Sequence, residues 1–102
     1  MQAHSLISLT ELSPLKPAYA LAANVDLIVL RLPEDDPENV VVMYGHCQHR
    51  GALMADAHIQ GDKIVCGLHG SHYIYKTGIN PRYLNKNLQK FKAWVENDQV
   101  FC

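Results

Sequence analysis

Four side chains with metal-binding chemistry stand in this chain as two mixed pairs, Cys47-x-His49 and, after 16 intervening residues, Cys66-x-x-His69. Each pair lies in a loop-like stretch that also carries glycine: Gly-His-Cys-Gln-His-Arg-Gly-Ala over Gly45–Ala52, and Cys-Gly-Leu-His-Gly-Ser-His over Cys66–His72. A fold that uses all four must hold two separate loops against each other, which a rigid sheet does well. Thiolate is a soft ligand and imidazole a borderline one, so the set suits zinc or iron–sulfur. Zinc fingers usually pair Cys with Cys and His with His. One Cys and one His in each loop suit a binuclear iron–sulfur cluster instead, with two cysteines on one iron and two histidines on the other.

The rest of the chain reads as an all-β scaffold. At 102 residues, 48% of them hydrophobic, it has room for one domain with one modest core. Val40-Val41-Val42-Met43-Tyr44 is the clearest strand, because consecutive β-branched residues suit a pleated sheet and crowd a helix. Further strands are predicted at Leu6–Leu9, Ala18–Ala23, Leu27–Leu32, Lys63–Val65 and Tyr73–Tyr75. Asn24-Val25-Asp26 reads as a turn and Pro33–Asn39 as a polar loop. Phe91–Val95 and Gln99–Phe101 flank Glu96-Asn97-Asp98, a hairpin signal. A short helical turn is expected over Tyr83–Lys90.

Several function classes fall away. Nine Lys+Arg against ten Asp+Glu, a net charge of −1, give no electrostatic footprint for nucleic acid. The longest apolar runs, Ala18–Ala23 and Val40–Tyr44, are far short of the roughly 20 residues a membrane helix needs. The N-terminus lacks a basic segment ahead of an apolar stretch, so no secretory signal is read and a cytoplasmic location is expected. Three cysteines do not make a disulfide scaffold. No carboxylate pair, nucleophile with a base, phosphate loop or dinucleotide fingerprint is present, so the chain is expected to have no catalytic site of its own.

The two loops, Cys47-Gln48-His49-Arg50-Gly51-Ala52 and Cys66-Gly67-Leu68-His69-Gly70-Ser71, resemble the cluster loops of the Rieske [2Fe–2S] family. The flanking pattern, from Asp26–Arg31 to the hairpin at Lys90–Phe101, fits as well. The resemblance implies one [2Fe–2S] cluster per chain, with Cys47 and Cys66 on the inner iron and His49 and His69 on the outer one. It implies a Rieske-type antiparallel β-sandwich over 1–102, with a cluster-binding subdomain at about 45–82 inserted in the β base. Backbone N–H groups near Gly51, Gly67 and Gly70 are expected to donate to the cluster sulfurs, because a missing Cβ permits close approach. Gly70-Ser71-His72-Tyr73 is similar to the high-potential members found in cytochrome bc complexes. There the serine hydroxyl bonds a bridging sulfide and the tyrosine hydroxyl a cysteine sulfur. Ala52 and Leu68 stand where that class has a disulfide. The loops resemble those of Rieske ferredoxins and ring-hydroxylating oxygenases while the donors resemble the cytochrome bc class. The potential is therefore expected inside the Rieske range of about −150 to +300 mV, above typical oxygenase-class ferredoxins and below the bc class.

His46 and His72 adjoin the motif and are expected in supporting or surface roles; His4, His58 and Cys102 are read as ordinary residues. Gly78-Ile79-Asn80-Pro81 falls where Rieske proteins carry a third loop over the cluster. Two contexts fit a one-electron carrier. One is a ferredoxin passing electrons from a flavin reductase to a terminal oxygenase. The other is the N-terminal module of an FMN-dependent glutamate-synthase-like enzyme, which Thr77-Gly78 and Leu88–Glu96 resemble. In that case the natural chain would run on past Cys102 and the partner would be a fused flavin domain. A zinc-stabilised binding module is the reading from a different class.

Overall fold

The computed structural model describes residues 3–46, 54, 57–66, 72–82 and 87–102. Its centre is a pair of strands too apolar to have a wet face. Strand β3 (Val25–Arg31) and strand β4 (Val40–Tyr44) pair antiparallel, and Leu27 through Leu30 and Val40 through Met43 are all buried. Strands covered on both sides lose the hydrophobic–polar alternation, which is why these runs are continuous in sequence. Alternate residues then serve two cores. Ile28, Leu30, Val41 and Met43 face one, together with Ile64, Cys66, Tyr73 and Leu88. Leu27, Val29, Val40 and Val42 face the other, together with Leu12, Ala20 and Val100.

The central sheet has the order β2 (Ala18–Ala22), β3, β4, β8 (Lys90–Phe91). One of its cores is shared with a sheet of β1 (Ser5–Ser8), β10 (Gln99–Phe101) and β9 (Trp94–Glu96). The other is shared with β5 (His58–Gln60), β6 (Lys63–Val65) and β7 (His72–Ile74). Every strand pair is antiparallel, so the expected all-β sandwich class is correct.

The differences from the sequence reading are local. The β2–β3 turn is Ala23-Asn24, both at positive φ (49° and 64°), and Val25 and Asp26 already belong to β3. The pairing Ala22↔Val25 leaves two residues for the loop, the number a tight hairpin turn takes. Asn97-Asp98 repeats the device between β9 and β10 (φ 50° and 65°). The run Phe91–Val95 divides, because Phe91 pairs with Val42 in the central sheet while Val95 pairs with Val100 in another. Leu9 opens a 3-10 turn (Leu9–Glu11) rather than ending β1, and the strand predicted at Tyr73–Tyr75 sits one residue earlier. Of the helical turn predicted at Tyr83–Lys90, 83–86 lie outside the described residues, Asn87–Gln89 are not helical and Lys90 belongs to β8.

Gly78 has a conformational reason to be glycine. Its φ is +80°, and a Cβ there would come within 2.1 Å of the Leu88 carbonyl oxygen. That carbonyl cannot simply swing aside, since the Leu88 N–H donates to the Gly78 carbonyl at 2.7 Å. Gly78→Ala is expected to destabilise the fold by about 2 kcal/mol or more, from the positive φ and the forced backbone shift together. Guanidinium denaturation checks this, and an unchanged midpoint contradicts it.

Candidate metal centre

The sheets bring Gly45 and His46, at the exit of β4, and Cys66, at the exit of β6, to one end. In the β3–β4 register Leu27 opposes Tyr44, so the chain leaves β4 through Gly45 and His46 beside the start of β3. In the β6–β7 register Val65 opposes His72, so the chain leaves β6 through Cys66 at that end of the pair. Cys66 is 2% exposed and shares its core with Met43 and Met54, while Met54 donates its N–H to the Gly45 carbonyl at 2.7 Å. The exit of β6 is thus packed against the exit of β4.

Of the residues predicted to hold or surround a cluster, Cys66 and Tyr73 are described. Cys47, His49, Gly51, Gly67, His69, Gly70 and Ser71 lie outside the described residues. Cys66 is a free thiol and Tyr73 is fully buried in the same core. Among the described residues no three His, Cys, Asp or Glu side chains converge as a metal site. A free, buried cysteine at a hairpin exit fits the donor chemistry of a thiolate ligand to iron.

The structure adds a group that the sequence reading missed. His46 Nε2 lies 2.6 Å from Asp26 Oδ2, and the Tyr19 hydroxyl donates to Asp26 Oδ1 at 2.6 Å. These bonds, Tyr19 first and His46 second, hold the Asp26 carboxyl below the usual carboxylate range. The same bond raises the Tyr19 hydroxyl. The Tyr44 ring is tilted against His46 at 5.5 Å. Reading Asp26 as a turn residue hid this, although its neighbour Leu27 begins an obvious strand. Had the strand been started at Val25, Asp26 would have fallen beside the β4 exit.

The third-loop segment is tightly bonded. Asn80 is 5% exposed; its N–H donates to Asn87 Oδ1, and its Oδ1 accepts from the Arg82 N–H, both at 2.9 Å. At the opposite end of the sheets Lys76 spans Asp36 and Glu38, and Lys90 also reaches Glu38. Lys76 holds the Asp36 carboxyl below its ordinary range. The remaining histidines are peripheral: His58 is exposed beside Gln60, His72 is exposed on β7, and His4 pairs through its backbone with Cys102. No helix among the described residues is long and apolar enough to cross a membrane.

Comparison with known proteins agrees with this architecture. No curated protein matches the chain by sequence. The ferredoxin of carbazole 1,9a-dioxygenase from Nocardioides aromaticivorans superposes with a TM-score of 0.83 at 19% identity, over 99% of this chain and 96% of that one. A Mycobacterium tuberculosis chain assigned as an NADH-dependent nitrite reductase small subunit gives 0.85 at 11%, over 98% and 92%. The terminal oxygenase of carbazole 1,9a-dioxygenase from Novosphingobium gives 0.85 at 17%; here 98% of this chain covers 29% of that one. At these identities the likeness is one of fold. The model of the Rieske [2Fe–2S] domain matches residues 3–92. With that match over most of its length, and with a free buried cysteine at the exit of β6, the chain belongs to the Rieske [2Fe–2S] domain family, whose cofactor is a [2Fe–2S] cluster.

Proposed function

We propose that this chain is a ferredoxin-type carrier that passes single electrons between a flavin reductase and a terminal oxygenase. The observation that carries the reading is the Rieske domain match over residues 3–92, on a chain whose fold is nearly coextensive with that of a dioxygenase ferredoxin. When bound, the cluster accepts and releases one electron. The protein's own residues supply the rest. Cys47 and Cys66 would hold one iron of the cluster as thiolates, and His49 and His69 would hold the other through neutral imidazole nitrogens. The buried setting of Cys66 keeps water from its sulfur. Backbone N–H groups near Gly51, Gly67 and Gly70, with the Ser71 and Tyr73 hydroxyls, would donate to the cluster sulfurs and favour the more negative reduced state. The domain runs over 1–102, with about 45–82 forming the cluster-binding part, in keeping with β5–β7 lying between β4 and β8 in the chain. The working compartment is cytoplasmic.

Anaerobic purification followed by iron and acid-labile sulfide analysis tests this. Two irons and two sulfides per chain are expected, with a rhombic electron paramagnetic resonance signal after reduction. A colourless protein with one zinc ion would overturn it. Transfer of electrons from a flavin reductase to an oxygenase component, followed by stopped flow, tests the partner assignment separately.

A further inference from the structure

We propose that Asp26 is a positioning residue for the first ligand loop, carrying the rigidity of the central sheet across the end of β4 to the residue before Cys47. The proposal rests on the reading of Cys47 as a cluster ligand. Strand β4 ends at Tyr44, opposite Leu27. Beyond that point Asp26 makes the next two connections. Its carbonyl accepts the Gly45 N–H at 2.8 Å, and its carboxylate meets His46 Nε2 at 2.6 Å. The backbone approach is close enough that a Cβ on Gly45 would lie 2.8 Å from the Asp26 carbonyl oxygen, so only glycine fits without a shift. Tyr19, across on β2, fixes the other carboxylate oxygen. The Met54 N–H also donates to the Gly45 carbonyl at 2.7 Å.

The polar part of this arrangement is not a buried necessity of the fold. The Asp26 and His46 side chains are 34% and 28% exposed, and Tyr19 is 43% exposed. The hydrophobic cores run through Leu27 and Ile28 instead. What the bonds fix is direction: His46 is covalently next to Cys47, so its orientation sets where the loop starts. Hydrogen-bonded groups just outside a metal's ligands orient those ligands, and losing one typically weakens metal retention by about 10- to 100-fold.

The test uses the holoprotein and the rate at which bathophenanthroline disulfonate strips its iron. Asp26→Ala removes the carboxylate and is expected to speed iron loss at least about 10-fold. The signal of the reduced, folded protein should also broaden in electron paramagnetic resonance. Asp26→Asn keeps an acceptor oxygen for the Tyr19 hydroxyl and turns the other position into a donor, which His46 Nε2 accepts in its other tautomer. It is therefore expected to restore most of both properties; Tyr19→Phe removes one supporting bond and should fall between. Asp62→Ala, which breaks an exposed pair with Lys63, serves as the control. Wild-type iron loss and line shape in Asp26→Ala overturn the proposal. So does faster loss that follows a lowered denaturation midpoint with an unchanged line shape, since a purely structural contact would do that. If Asp26→Ala does not fold, Tyr19→Phe decides: an unchanged rate and line shape overturn the proposal. A wild-type protein without iron would instead contradict the reading of Cys47 as a ligand.

Discussion

Cys66→Ala is expected to abolish cluster binding completely while leaving the metal-free sheets folded. The two halves of that result separate a ligand from a core cysteine. As a packing residue, Cys66 is a small buried group among Met43, Met54, Ile64 and Tyr73. Removing its sulfur deletes one atom from that core, and small truncations of this kind destabilise by about 1 kcal/mol. As a ligand it supplies one of two thiolates to the inner iron, and no neighbouring group substitutes: among the described residues the other free cysteine is Cys102, paired through its backbone with His4. Iron content should therefore fall to background and the visible absorption should vanish. Guanidinium denaturation of the metal-free protein should move little. Cys102→Ala should retain full iron, because burial raises that thiol and no ligand motif surrounds it. Iron retained in Cys66→Ala would return Cys66 to the core and remove half of the inner-iron site.

Much of this was legible because the determining signals are local. Val40–Met43 is β-branched and apolar without a break, and the structure places it between two cores. The hairpin at Asn97-Asp98 announces itself through residue types that tolerate positive φ. The pairing of Cys with His in each loop carries its chemistry in the residue types themselves. What sequence reading missed depends on pairing across the chain. His58–Gln60 looks polar, and it is a strand because Ile59 opposes Ile64 across the Gly61-Asp62 turn. Phe91–Val95 looks like one strand, and its two ends belong to different sheets. Asp26 looked like a turn residue because Asn24 precedes it. Its contacts with Gly45 and His46, about 20 residues away, exist only once β3 and β4 are in register. Motifs are thus readable from composition and spacing, whereas the residues that aim them are set by register.

Tyr73→Phe is expected to lower the midpoint potential of the holoprotein by about 60 mV with little loss of stability. Tyr73 is fully buried in strand β7, opposite Ile64 and in the same core as Cys66. Phenylalanine fills the same volume, so neither a cavity nor a strained rotamer is created. What disappears is one hydroxyl, which our reading makes a donor to cluster sulfur. A hydrogen bond to a charged acceptor is worth about 1.5 kcal/mol or more. For a one-electron couple, about 59 mV corresponds to a tenfold change in equilibrium, or 1.4 kcal/mol. The reduced state carries the extra negative charge, so it loses more from the missing donor and the potential falls rather than rises. Protein-film voltammetry at fixed pH measures the shift directly. A potential within error of wild type, with a normal cluster spectrum, would make Tyr73 a packing residue and leave the tuning to Ser71 and the loop backbone.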